Sequence, residues 1–171
     1  MPIFVEPKNV LSKISLKEDM TVADFGSGSG AWVMPLAKDL EKGTVYAVDV
    51  LEEPLSALES KLKTAGFNNV RKVLDDVETE ITSIPSNSCD LVLMTNLLFQ
   101  VGSMEAVFKE ADRVLKKTGK VLVVDWKKGV PMGPKPGISR EEVKQVAAVC
   151  GFEPETEFEA GDYHFAIIFI K

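Results

Sequence analysis

Three glycines at alternate positions, Gly26, Gly28 and Gly30, follow an acid, Asp24, near the end of the apolar run Thr21-Val22-Ala23-Asp24-Phe25. That order suits a buried strand running into a tight loop over a helix N-terminus. Glycines there let the chain turn sharply and let a ligand approach with no Cβ atoms in the way. An adenosine-containing ligand is expected at this loop. The bare glycine pattern is ambiguous, because Gly26, Gly28 and Ala31 also satisfy G-x-G-x-x-A, a dinucleotide pattern. Asp24 argues for a different ligand. A carboxylate directly before the loop repels a pyrophosphate but can hold an ammonium. A second acid, Asp49, ends the next apolar run and can accept hydrogen bonds from both hydroxyls of a ribose.

Elements that would position these residues alternate along the chain. A short helix is expected at Lys8–Ile14, a strand at Thr21–Phe25, a helix from Gly30 to Leu40, a strand at Thr44–Val50 and a helix at Pro54–Ala65. Leu55, Leu58 and Leu62 have helical spacing, Pro54 suits a first turn, and Gly66 suits a stop. Strands at Val70–Leu74 and Asp90–Thr95 bracket Asp76–Ser88, where Pro85 leaves room only for a stunted helix. One apolar stripe (Met104, Val107, Phe108, Ala111, Val114, Leu115) predicts a helix at Met104–Lys117, followed by a strand at Lys120–Trp126. After a Pro- and Gly-rich loop, Ser139-x-x-Glu142 reads as a capping box opening a helix that ends at Cys150-Gly151. Strands at Phe152–Glu159 and Tyr163–Ile170 are separated by three residues and must form a hairpin. Such alternation implies a parallel sheet covered on both faces, with the last strand antiparallel. A nicotinamide-type dinucleotide fold would continue with further parallel units.

The signature Asp24-x-Gly26-x-Gly28-x-Gly30 stands with Asp49 closing the second strand and Asp76 following the third. Leu115-Lys116-Lys117-Thr118-Gly119-Lys120 leads into the fifth. Together these resemble the class I S-adenosylmethionine (SAM)-dependent methyltransferases over nearly the whole chain, most closely the small quinone-biosynthesis-like members. The resemblance implies an α/β, Rossmann-like seven-stranded sheet with helices on both faces, order 3-2-1-4-5-7-6. It implies one domain over residues 1–171, with an N-terminal helical segment at 1–18 and a candidate lid at 127–138. It also implies SAM as cofactor. Asp24 would sit near the methionine amino group, and Gly26 and Gly28 under the methionine and ribose. Asp49 would bind the ribose hydroxyls. Asp76 would accept from the adenine amino group, with the Val77 backbone reading the ring. Asn96-Leu97 would lie near the transferable methyl, and Ser27, Gly30 and Val50 complete the cofactor-binding set.

The hairpin turn falls on the ligand side of such a sheet, so Tyr163 and His164 begin the last strand near the substrate opening. His164 is the chain's one histidine and the best candidate for a general base or acceptor-orienting group. The rival role is a partly exposed strand residue. With Asn96 and Tyr163 it makes up the candidate catalytic set, while Trp126 and Phe99 are candidates to line an acceptor pocket. No cap domain is evident, so the site stands open or is closed by a second copy of the chain.

The chain has 171 residues and a formal net charge of −6, with no long basic run, which disfavours a nucleic-acid partner. After the fourth strand the sequence reads Thr95-Asn96-Leu97-Leu98, not the D-P-P-Y type expected of amino-group DNA methylation, and no Pro-Cys nucleophile occurs. What remains is methylation of an oxygen, nitrogen, sulfur or carbon of a small molecule, the expected acceptor class, with a protein acceptor still open. Cys89 and Cys150 have no metal-ligand spacing and are expected as buried free thiols, so no metal site is expected. No signal peptide or membrane-spanning run is evident, and the expected location is the cytoplasm. Two rival readings are a methyltransferase-like module that holds SAM without transferring its methyl, and an NAD(P)-dependent oxidoreductase.

Overall fold

A computed structural model describes all residues from Met1 to Lys171. One sheet runs through the molecule in the order β3-β2-β1-β4-β5-β7-β6. Strands β1 (Thr21–Phe25), β2 (Thr44–Asp49), β3 (Val70–Leu74), β4 (Cys89–Thr95) and β5 (Leu115–Trp126) pair in parallel. Strand β7 (His164–Ile170) is antiparallel to both β5 and β6 (Glu153–Glu159). The expected topology is the observed one.

Strand alternation divides the core into two layers. Val22, Val45, Leu91, Leu93, Val124 and Ala166 pack with α1 (Pro7–Leu11), α2 (Val33–Asp39) and α3 (Glu52–Ala65). Phe25, Val48, Met94, Val123 and Phe165 pack with α4 (Met104–Val114) and α5 (Arg140–Val149). Along the same alternation Asp24 and His164 belong to the α1–α3 face and Asp125 to the α4–α5 face. No helix is long and apolar enough to cross a membrane.

Several boundaries differ from expectation for local reasons. The first helix is shorter and starts with Pro7 in its first turn. Helix α2 begins at Val33, because Gly30 sits in the left-handed region at φ 90° and cannot open a helix. Helix α3 starts two residues before Pro54, with Glu52 and Glu53 in its first turn, where acids complement the helix dipole. Helix α4 stops at Val114; Leu115 turns extended and pairs with Cys89, and a register shift to Leu91↔Lys120 absorbs the residues between. The turn expected before the fifth strand is thus its first part. Residues 76–88 hold no helix. Buried Glu110 accepts from Ile81 N, and Arg113 donates to the Ile81 and Ile84 carbonyls, so α4 organises this stretch from outside. Cys89 is buried as expected, but Cys150 is only half-buried. The capping box is present in full: the Ser139 hydroxyl accepts from Glu142 N, and the Glu142 carboxylate accepts from Ser139 N.

Candidate active site

The C-terminal ends of the parallel strands and the loops that follow them carry most of the residues singled out for chemistry, His164 joins them from the start of antiparallel β7, and Gly30 and Tyr163 stand apart. After β1 the chain folds back on β2, with Gly26 N and Ser27 N both donating to Val48 O at 2.9 Å. Gly26 has φ 73°, and a Cβ there would lie 2.9 Å from Leu97 Cδ1, so the loop needs glycine for both conformation and space. Gly28 has φ 53° and faces open space. Gly30 serves packing: a Cβ there would meet Leu58 Cδ1 at 2.4 Å, and Gly30 does not line the cavity beside the loop.

That cavity has a volume of about 450 Å³ and is lined by Gly26, Gly28, Asp49, Val50, Asp76 and Val77, with Leu97 and Val101 closing it. Asp49 holds its floor. Its Oδ2 accepts from Gly28 N at 2.8 Å and its Oδ1 from Leu51 N at 3.0 Å. Each carboxylate oxygen keeps a further lone pair for a ligand hydroxyl. Val50 and Leu51 are exposed although apolar, which suits them to cover a flat ring. Asp76 is exposed; its Oδ1 accepts from Glu78 N, leaving Oδ2 free. A hollow of about 490 Å³ at the other, N-terminal end of β2 and β3, around Glu41, Lys42 and Asn68, is slightly larger but holds no unpartnered buried group.

Asp24, near the end of β1, and Ser27, in the loop, are buried and do not line that cavity. Neither oxygen of Asp24 nor the Ser27 hydroxyl has a hydrogen-bond partner. Burial, reinforced by the nearby Asp49 charge, pushes the Asp24 carboxyl up to about 8.

Further along the sheet, Asn96 and His164 meet across 68 residues of sequence, His164 Nε2 lying 2.9 Å from Asn96 Oδ1. A carbonyl oxygen only accepts, so Nε2 carries the proton and Nδ1 keeps a lone pair. Nδ1 is buried and unpartnered. The Trp126 ring lies 4.2 Å from the imidazole, centroid to centroid. Burial first, and Lys127 second, hold the His164 pKa below its ordinary value, so the ring is neutral near pH 7. His164 is therefore buried, not the partly exposed strand residue of the rival expectation. Asn96 takes φ 51°, a left-handed conformation uncommon outside glycine and frequent at functional turns. Tyr163 stands apart from this pair, packing against Phe4 at 5.7 Å, just before β7 begins.

Two contributors escape the sequence reading. Asp125 is fully buried at the end of β5, where its carboxylate accepts from Leu98 N and Trp126 N and so ties β5 to the 3₁₀ turn Leu98–Gln100. Burial raises its carboxyl to about 6 against the opposing pull of those amides. Its signal was present, an acid inside the apolar run Val121–Trp126. Glu78 accepts from Gly102 N and Ser103 N and closes the cavity rim; nothing local in the sequence marks that pairing.

A family model described as "Methyltransferase domain" matches residues 23–123, the stretch from β1 through most of β5. The chain belongs to the class I SAM-dependent methyltransferases. A SAM-dependent methyltransferase of known crystal structure from Aquifex aeolicus superposes with a TM-score of 0.88 at 29% identity, covering 98% of this chain and 90% of that one. Among curated relatives, "Demethylmenaquinone methyltransferase" of Anoxybacillus flavithermus is 28% identical over 119 residues, 69% of this chain and 49% of that protein. "Probable cobalt-precorrin-6B C(15)-methyltransferase (decarboxylating)" of Methanosarcina acetivorans is 32% identical over 117 residues, 66% of this chain and 59% of its own length. The chain thus spans about two fifths to three fifths of the length of the curated methyltransferases it matches. The chemistry of this region suits the family's cofactor: the cavity is lined by the acids Asp49 and Asp76 and the apolar Val50, Leu51 and Val77, and buried oxygens without partners lie close to the glycine loop.

Proposed function

We propose that this chain transfers the methyl group of SAM to a small-molecule acceptor. The observation that carries the reading is the distribution of unsatisfied groups. The buried side-chain nitrogen and oxygen atoms without a partner are both Asp24 oxygens, Ser27 Oγ and His164 Nδ1, and all lie at this one end of the sheet. Native proteins leave few buried polar atoms unpaired, and each one left calls for a reason such as a catalytic role or a bound water or ion; four at one end of the sheet support a ligand site there.

SAM supplies an activated methyl on a sulfonium, so the protein's part is alignment and a dry, shaped cavity. Asp24 holds the amino-acid ammonium and Asp49 accepts from the ribose hydroxyls. Val50 and Val77 flank the adenine, with Asp76 Oδ2 accepting from its amino group. Asn96 fixes the His164 tautomer, and Nδ1 receives a proton from, or orients, the acceptor. Trp126 offers a flat apolar wall beside it, and residues 127–138 form the lid. The small-molecule names of the relatives support an acceptor of that size.

Calorimetric titration with SAM, S-adenosylhomocysteine and NAD(H) tests this. Micromolar binding of the first two and none of the third is expected. Methyl transfer is then sought by S-adenosylhomocysteine release across an acceptor panel. Binding of NAD(H) alone would overturn the reading, whereas SAM binding with no transfer to any acceptor would favour a non-transferring module.

A further inference from the structure

Asp24 has no exposed surface, and neither carboxylate oxygen has a donor within hydrogen-bonding distance. The elements packed around it bring no cation to it. Strand β2 contributes Asp49, of the same sign. Beside it, residues Leu91–Thr95 of β4 carry neutral side chains only, and the loop after β1 offers the Ser27 hydroxyl. Lys61 reaches the loop from α3 but is committed to the Ser29 carbonyl and hydroxyl. Burial without a donor or counter-ion disfavours the charged form, so below about pH 8 Asp24 is the neutral acid. A ligand ammonium needs the anion.

We infer that an adenosyl ligand bearing an amino-acid end binds by displacing one proton from Asp24 to solvent, so that this residue selects ammonium-bearing ligands through a proton exchange. The inference rests on the SAM reading of the site. In the exchange the O–H bond of the Asp24 acid breaks, its electron pair stays on the carboxylate, the proton passes to buffer, and the ligand ammonium keeps its three hydrogens. An Asp24 carboxyl titrating at about 8 makes the exchange nearly complete at neutral pH and below. The ligand's α-amino group, with an ordinary pKa of about 8, is itself protonated there. 5′-Methylthioadenosine lacks the ammonium and has nothing to compensate a bare carboxylate, so it leaves the proton in place.

The test is titration calorimetry on the intact chain at about pH 6.5, in buffers of differing ionisation heat, with SAM, S-adenosylhomocysteine and 5′-methylthioadenosine. Release of about one proton per SAM or S-adenosylhomocysteine, and none for 5′-methylthioadenosine, is expected. SAM affinity should rise about tenfold per pH unit between about pH 6 and 7.5 and level off near 8. In D24N, SAM should bind more weakly and without proton release. Should that variant fail to fold, the wild-type buffer series decides alone. SAM binding with no proton release, or equal release by 5′-methylthioadenosine, overturns the proton exchange and leaves the cofactor reading standing. No SAM binding overturns the cofactor reading and the exchange with it.

Discussion

The ends of β1 and β5 carry nearly the same sequence, Val22-Ala23-Asp24-Phe25 and Val123-Val124-Asp125-Trp126, yet put the acid to different uses. Both aspartates are fully buried. Asp125 faces the α4–α5 layer, where two backbone amides meet its carboxylate, and it stays near 6. Asp24 faces the α1–α3 layer next to the glycine loop, finds no donor, and rises to about 8. A buried carboxylate with its donors in place is a structural tie. One without donors is held as the neutral acid. Burial alone does not separate the two; the partner inventory does.

Four experiments would break or sharpen this contrast. The largest effect concerns stability and pH. In the unfolded chain Asp24 ionises near 4, whereas in the fold it does so at about 8. The unfolded state therefore loses its proton first, and the wild type loses stability as pH climbs through that window. Asp24→Asn removes the loss, so its advantage in denaturant melts should grow from about pH 4 to 8, by up to about 5 kcal/mol. An advantage that stays flat with pH would mean Asp24 is not held neutral.

Asp125→Ala should act in the opposite sense. It leaves Leu98 N and Trp126 N without their acceptor and should cost about 2–4 kcal/mol of stability. Asp125→Asn should recover part, since an amide oxygen still accepts. Melting of Asp125→Ala at the wild-type temperature would remove the distinction between the two acids. Next in size, Asp49→Ala should weaken SAM binding by about 1.5–3 kcal/mol, roughly tenfold to a hundredfold, in a chain that still folds. Unchanged affinity would sink the ribose assignment.

The smallest effect belongs to His164. As the chain's one histidine it gives a single imidazole signal in NMR, and its titration midpoint should lie below the ordinary 6.5 because of burial and Lys127. The unfolded chain takes up that proton first, so the pair with Asn96 loses stability as pH falls below about 6.5. A midpoint at or above the ordinary value would place His164 in a wetter setting than its 2% exposure indicates.

The alternation of strands and helices and the glycine–acid signature were legible because their signals are local, while the strand order followed from the resemblance that signature carries. Strand ends, glycines and acids within β1–β3 lie a few residues apart, and the loop geometry follows from glycine's freedom at φ > 0. The acceptor half was legible only as a list of names. Asn96 and His164 were each singled out, but their pairing was not, since it depends on β7 returning antiparallel beside β5 in the register Trp126↔His164. Tyr163 was misplaced by one position for the same reason, falling outside β7 and turning to Phe4. Asp125 was passed over because an acid in an apolar strand looks alike whichever face it takes.

Composition and periodicity by themselves determined the fold class, the ligand end of the sheet and the chemistry of the residues around the glycine loop. These follow from backbone stereochemistry and from apolar patterns that repeat within each element. Only the tertiary structure decided which buried acid is satisfied and which is not, which nitrogen of His164 is free, and which loop Glu78 ties down. Each of those depends on donors and acceptors contributed by segments distant in the chain, and a side chain's charge state is set by all the groups that reach it.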